Sequence, residues 1–284
     1  MLSPAEREQA AQALLGAARD HATIPPVSVS WPAAEVEDAY RISQLVAEAK
    51  LQAGAILKGH KIGLTSRPMQ EAAGINEPDY GVLLDDLFVA EGSVIPTDRL
   101  FQPLAEAELA FVLREPLTGP SVNAADVIRA TDFVLPCIEV VDRRFSERGV
   151  LVDTIADNAS SGLVVLGGNP VGLGDIDIRT IGVTLTKNGV IEDTGVASAV
   201  MGNPINAVAW LANKLHTFGV PLEAGHVVLS GSFIKAIRFG PGDVLGREQV
   251  VEAARLGGPG ELLEELRVGA QVGVAEGDAV AHGY

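Results

Sequence analysis

Three carboxylates set the chemistry open to this chain. Glu106 and Glu108 lie in the run Leu104-Ala105-Glu106-Ala107-Glu108-Leu109-Ala110-Phe111-Val112-Leu113. Side chains of a strand alternate between its faces, so both glutamates share a face with Leu104, Ala110 and Val112. The other face is wholly apolar. Two carboxylates side by side on a half-buried strand repel each other and resist desolvation. A divalent cation between them resolves the conflict; a solvated strand end is the plainer alternative. Glu139 stands in the apolar run 133–141 and needs a partner. That partner is either the same cation or one of the nearby Arg143 and Arg144. Three carboxylates with no His or Cys beside them are hard ligands, suited to Mg2+ or Mn2+ and poorly to Zn2+. They leave octahedral positions open for water and for a substrate carboxylate next to a keto or enol oxygen.

The remaining candidates flank these. Lys61 ends a probable strand in His60-Lys61-Ile62-Gly63-Leu64-Thr65-Ser66, where Gly63 and the Thr-Ser pair predict a tight turn with free donors. It is either a surface lysine with a buried stem or a cation facing the site. A lysine base needs a depressed pKa, and burial pushes that way. Glu77-Pro78-Asp79-Tyr80-Gly81 reads as a turn. Asp79 is there either for the turn alone or for proton transfer. The polar loop 157–162 precedes the apolar run 163–166 and supplies either substrate donors or caps. Leu64, Ser160 and Ser161 are the candidate substrate contacts. Ser230-Gly231-Ser232 is a similar loop, and Cys137 reads as a small core residue. There is no glycine-rich phosphate loop, no Cys-x-x-Cys and no nucleophile elbow. His21, His216, His226 and His282 have no ligand-like spacing.

Positioning elements are legible around these residues. Ser3-Pro4-Ala5-Glu6 is a capping box opening a helix that Ile24-Pro25-Pro26 closes. A second helix is predicted over 35–53, with Ala39, Ile42, Leu45, Val46 and Ala49 on one face. Together they predict an N-terminal helical lobe over 1–55. From Ala55 the text turns to strands near 56–62, 104–113, 133–141, 162–167, 180–187, 190–196 and 226–231. Asn188-Gly189 marks a type I′ hairpin. Shorter helices follow Arg67 and Asn123, and one runs from Asn203-Pro204 to Gly219. Many strands with few crossover helices predict an α+β fold, with a β-rich metal-binding domain over 56–243.

Composition narrows the classes. Of 284 residues 47% are hydrophobic and 20% charged, which excludes a disordered chain. No apolar run reaches the ~18–20 residues of a membrane span, and no secretory signal is visible. The single cysteine fits a reducing, cytoplasmic setting. Twenty-one Lys and Arg against 37 Asp and Glu give a net charge of −16, which repels nucleic acid and anionic membrane. A small anionic substrate therefore needs a local cation, which a bound metal provides.

The segments 57–66, 77–86, 105–111, 153–159 and 203–214 jointly resemble the 2-oxo-4-pentenoate hydratase family of the fumarylacetoacetate hydrolase superfamily. The resemblance spans about residues 1–243, in order. Lys58-Gly59-His60-Lys61-Ile62-Gly63 and Val190–Val196 look closest to the branch acting on 2-oxohept-3-ene-1,7-dioate in 4-hydroxyphenylacetate degradation. The resemblance implies a mixed β-roll with flanking helices, and a homo-oligomer. It implies Mg2+ or Mn2+ on Glu106, Glu108 and Glu139, with Lys61 and Asp79 as catalytic residues. It implies a hydratase that yields 4-hydroxy-2-oxoheptanedioate. Alternatives on the same site are a 2-hydroxypenta-2,4-dienoate hydratase, a 4-oxalocrotonate-type decarboxylase and an inactive scaffold that binds 2-oxo acids. Acylpyruvate hydrolysis would need a histidine base, for which His60 is the nearby candidate. After Gly242-Asp243 the text becomes Ala/Gly/Glu-rich, with a helix expected around 261–266. Relatives place a short strand there, and this chain lacks its residues. Residues 244–284 therefore read as an atypical tail, an extension or a reading-frame shift, that leaves a sheet edge unpaired.

Overall fold

The computed structural model describes residues 1–95, 99–252 and 265–274. It opens with helices α1 (Pro4–Asp20), α2 (Val27–Ser30) and α3 (Val36–Gln52). The capping box is formed: Ser3 Oγ accepts from Glu6 N at 3.3 Å, and Glu6 Oε2 accepts from Ser3 N at 2.8 Å. The helix stops at Asp20, before the Ile-Pro-Pro signal, because His21 takes a left-handed φ of 45°.

Asp38 ties the first helix to the third. It is fully buried and accepts from Arg7 Nε at 2.8 Å, Leu2 N at 3.0 Å and Glu35 N at 2.9 Å. Burial pushes its carboxyl up, but the Glu35, Arg7 and Leu2 donors outweigh burial and hold it below its ordinary value. Its stabilisation is therefore complete above the unfolded-state pKa of about 4 and fades as pH falls through the lower native value. Asp38→Asn should lose about 2–3 kcal/mol at neutral pH. Urea unfolding of both proteins should show that gap closing toward about pH 3.

The strands follow as β1 (Leu57–Gly63), β2 (Asp79–Leu84), β3 (Phe88–Val89), β4 (Val94–Ile95), β5 (Leu104–Leu113), β6 (Thr131–Val141) and β7 (Ser161–Leu166). Then come β8 (Gly182–Lys187), β9 (Val190–Val196), β10 (Val227–Leu229), β11 (Ile237–Arg238), β12 (Val244–Glu252) and β13 (Glu265–Val274). Helices α4 (Arg67–Ala73), α5 (Ala124–Ala130), α6 (Leu151–Ala156) and α7 (Pro204–His216) are interspersed. One sheet has the order β2-β1-β10-β5-β6-β7-β3, with β11 also on β5; the other runs β4-β13-β12-β8-β9. Pairing is mixed: β1–β10, β3–β7 and β4–β13 are parallel and the other pairs antiparallel. This is the α+β fold that the sequence predicts. Among the described residues no helix is long and apolar enough to cross a membrane.

The larger sheet has two unlike faces. Ala105, Ala107, Leu109, Phe111 and Leu113 of β5 join the main core, which also takes Leu14, Ile42 and Leu211 from the helices. Each large side chain buried there contributes about 1.5–3 kcal/mol. The opposite face carries a smaller apolar cluster of Leu83, Leu87, Ala110, Cys137, Val164, Val227 and Leu229. Period two puts Glu106, Glu108 and Glu139 on that second face.

Two expectations are corrected. Asp79 does not sit in a turn: the bend is at Asn76 and Glu77, and Asp79 opens β2. The chain after Asp243 is not strandless. Residues 244–252 form β12, whose backbone pairs with β8 from Leu245↔Lys187 to Val250↔Gly182, and β13 covers β12 in turn. Backbone groups carry this pairing, so an altered side-chain text does not abolish it. Of the helix expected around 261–266, residues 261–264 lie outside the described residues, and Glu265 and Leu266 begin a strand.

Candidate active site

Register builds the site. β5 and β6 pair antiparallel with Glu106 opposite Glu139 and Glu108 opposite Cys137. One oxygen from each of Glu106, Glu108 and Glu139 lies within 4.8 Å of the others. Glu108 and Glu139 are buried and Glu106 is half-buried. Across the sheet, Lys61 of β1 is level with Leu229 of β10, itself opposite Ala110 of β5. Lys61 is 3% exposed, and its Nζ lies 3.1 Å from Glu139 Oε1. The partner of Glu139 is thus Lys61, not Arg143 or Arg144. Asp79 of β2 faces Gly63 of β1. A Cβ on Gly63 would overlap Asp79 Oδ1 and stand 3.5 Å from Lys61 Nζ. The missing side chain leaves the space in which those two groups meet.

The cluster fits a hard cation. Glu108 Oε2 accepts from Gly231 N at 2.8 Å. Lys61 meets Glu139 Oε1 as an ion pair, while the other Glu139 oxygen and Oδ1 of Asp79 are buried without a hydrogen bond. Buried carboxylate oxygens left unpaired are expensive. Burial, then the Glu139 charge, push Glu106 and Glu108 above the ordinary carboxylate range. Burial also raises Glu139, and Lys61 offsets this only in part. An all-oxygen donor set of this kind can hold a divalent metal.

Lys61 departs from expectation. Burial would lower it, but Glu139, Asp79, Glu106 and Glu108 together outweigh burial and hold the ammonium above its usual range. Without a metal it is a fixed positive charge. Burial pushes the Asp79 carboxyl above its ordinary value, and the Lys61 charge and the Gly63 backbone offset this only in part.

Unusual backbone gathers beside these groups. Leu64 has φ 54°, and Asn158, Ala159 and Ser160 run consecutively at 56°, 51° and 56°. Left-handed conformations cost non-glycine residues roughly 1–2 kcal/mol each. The 158–160 turn is held from two sides. The Asn158 amide pairs with β2, accepting from Val82 N at 2.7 Å and donating to Val82 O at 2.8 Å. Arg144 forms a buried ion pair with Asp157 and donates to Ser161 O at 3.2 Å. Leu64 and Ser160 share the wall of a cavity of about 350 Å³. Ser161 parts from them: it lines a separate cleft beneath α1 and α3 with Arg144 and Asp157. Sequence reasoning does not single out Asn158; its one signal there is a polar residue in a loop that precedes an apolar strand.

His60 alternates to the face opposite Lys61 and lies 6.3 Å from the His226 ring. Burial, then His226, push it down to about 3. It has no carboxylate partner among the described residues, and so lacks the dyad that acylpyruvate hydrolysis requires.

Fold and site together define an enzyme of mixed β architecture, built on a carboxylate cluster that meets a buried lysine and aspartate. The chain belongs to the fumarylacetoacetate hydrolase family: the family profile described as Fumarylacetoacetate (FAA) hydrolase C-terminal matches residues 23–264. It is 47% identical over 240 residues to a 2-oxo-hept-4-ene-1,7-dioate hydratase of Escherichia coli, covering 82% of this chain and 90% of that one. It is 38% identical to a 2-keto-4-pentenoate hydratase of Paraburkholderia xenovorans, covering 86% and 91%. Among solved structures it overlays 4-oxalocrotonate decarboxylase from Pseudomonas putida G7, complexed with magnesium and adipate. That match has a TM-score of 0.87 and 31% identity, covering 96% of this chain and 99% of that one.

Proposed function

We propose that this chain is a divalent-metal-dependent hydratase that adds water to a 2-oxoalkenoate in the breakdown of aromatic compounds. Its preferred reaction is hydration of 2-oxohept-3-ene-1,7-dioate to 4-hydroxy-2-oxoheptanedioate. The observation that carries this is the cluster of Glu106, Glu108 and Glu139 within 4.8 Å, joined by Lys61 and Asp79 on one sheet face. These glutamates would hold Mg2+ or Mn2+. When bound, the metal supplies Lewis-acid polarisation of a 2-oxo acid, which makes the conjugated chain a better electron sink. The chain's own groups do the rest. Asp79, beside Lys61 on the same sheet face, carries the proton when the dienol becomes the unsaturated ketone: its carboxyl gives a proton to C5, and the carboxylate so formed takes up the proton that the enol hydroxyl releases. Lys61 holds negative charge and orients the water that adds at C4. The apolar cluster beside them on the same sheet face keeps bulk water away.

The diacid is favoured because the diacid hydratase is the nearer of the two hydratases, at 47% against 38% identity. The decarboxylase reading is kept by the structural match alone. The test is the ultraviolet absorbance of 2-hydroxyhepta-2,4-diene-1,7-dioate with added Mg2+ and separately with EDTA. Metal-dependent loss of the chromophore, with a product heavier by one water, is expected. Carbon dioxide release from a 2-oxo-3-enedioate would instead give the decarboxylase. Loss with the five-carbon monoacid only would move the substrate to 2-hydroxypenta-2,4-dienoate.

A further inference from the structure

We propose that Arg143 and Arg148 form a subsite for a second carboxylate, which makes this chain select 2-oxo diacids over monoacids. The inference rests on the hydratase reading and adds the residues that set substrate length.

Arg143 and Arg148 line the cavity of about 350 Å³ together with Leu64 and Ser160, the two candidate substrate contacts. Leu64 follows Gly63, the residue whose missing Cβ makes room for Asp79 and Lys61. Ser160 O accepts from Asp142 N at 2.7 Å, so Arg143 leaves the β6 ladder one residue later. Glu139 and Arg143 are four residues apart, ~13 Å along an extended strand. Six carbon–carbon bonds span about as much as two extended residues, ~7 Å. The guanidinium's own length covers the difference. A five-carbon monoacid held at the glutamates presents no anion at that end.

Charge makes the same case. In a chain of net charge −16, the nearby cations are mostly spoken for. Lys61 faces Glu139, Arg144 faces Asp157 and Arg67 faces Glu71. Arg143 instead donates to the neutral Gln102 Oε1 at 3.1 Å, and Arg148 makes no ion pair among the described residues. The carboxylate in the same wall is Asp153, whose oxygens are taken by Ser28 N at 2.7 Å, Ser28 Oγ at 2.8 Å and Val150 N at 2.7 Å. A Cβ on Gly149 would meet the Asp153 side chain at 2.6 Å, so the loop carrying Arg148 is seated closely on that carboxylate. Two guanidinium groups that make no ion pair among the described residues, in one concavity with apolar walls from Phe145 and Leu151, favour a carboxylate.

The test uses the full chain with Mg2+. Rates with 2-hydroxyhepta-2,4-diene-1,7-dioate and 2-hydroxypenta-2,4-dienoate are compared for the parent, Arg143→Leu, Arg148→Leu and the double variant. The diacid-to-monoacid ratio of kcat/KM should fall about 100-fold in the double variant, through KM, as two charge-assisted contacts are lost. Arg148 is exposed, so its single variant keeps the fold and still shows part of the fall. An unchanged ratio overturns the proposal. Calorimetry with two unreactive ligands, 2-oxoadipate and 2-oxobutyrate, separates it from the hydratase reading. If the parent hydrates neither dienoate yet prefers the oxo-diacid, and the double variant loses that preference, the subsite stands and the hydratase reading falls. Equal binding of the two by the parent overturns the subsite whatever the turnover.

Discussion

Glu108→Gln should melt at a higher temperature than the parent in EDTA, gain almost nothing from added Mg2+, and turn over at least about 1,000-fold more slowly. Without a cation the site crowds Glu106, Glu108 and Glu139 together, and Glu139 Oε2 is buried without a hydrogen bond. Removing one charge relieves the repulsion. The amide oxygen still accepts from Gly231 N, so no donor is orphaned. Relief of about 2 kcal/mol corresponds to roughly 5 °C in a chain of this size. The pH dependence has a definite sign. Glu108 and Glu139 have native pKa values above their ordinary ones. The native state therefore holds more protons than the unfolded one, and metal-free stability falls as pH rises through that window. Glu108→Gln should flatten this slope. Parallel melts over pH, with and without Mg2+, check both statements. A Mg2+-induced shift equal to the parent's would remove Glu108 from the metal site, and unchanged turnover would remove the metal mechanism.

The part of the site carried by one strand is legible in the sequence by itself. Period two alone puts Glu106 and Glu108 together and the apolar residues behind them. What crosses strands is not legible. That Glu139 stands opposite Glu106, and that Lys61 reaches Glu139 before any arginine does, depends on the order β1-β10-β5-β6, which no local pattern encodes. β2 is disguised for a specific reason. Pro78, Asp79 and Gly81 are turn residues by type, but here Pro78 only precedes the strand, and Gly81 is small because the Asn158 backbone lies against it. Asn158 is hidden likewise, since its role is to mimic a strand partner for Val82. Ser160 and Ser161 look equivalent in sequence and face different cavities, because the left-handed turn ends between them. The tail misleads through composition. Its unfamiliar side chains hide a backbone that completes the ladder on β8.

Lys61→Met should shift stability the other way from Glu108→Gln while also removing turnover. The ammonium is the counter-charge 3.1 Å from Glu139, and it also offsets Asp79. Taking one partner from a buried pair leaves an uncompensated charge, a loss of about 3–5 kcal/mol. Metal-free Lys61→Met is therefore expected to unfold at markedly lower urea concentration than the parent. Added Mg2+ should restore much of that loss, because a cation on the three glutamates supplies the missing positive charge. Turnover should stay at least about 1,000-fold down even with saturating Mg2+, since neither methionine nor the metal orients the water as an ammonium does. Lys61→Arg should not rescue it, because the planar guanidinium does not fit the space left by Gly63. The double variant Lys61→Met/Glu139→Gln separates the two roles. It removes both charges of the pair, so metal-free stability should return close to the parent's while turnover does not. Metal-free Lys61→Met as stable as the parent would show that Lys61 does not balance the cluster. Turnover preserved in Lys61→Met would show that the lysine takes no part in the proton and water chemistry. The double variant then decides whether the buried pair serves the fold, the reaction, or both.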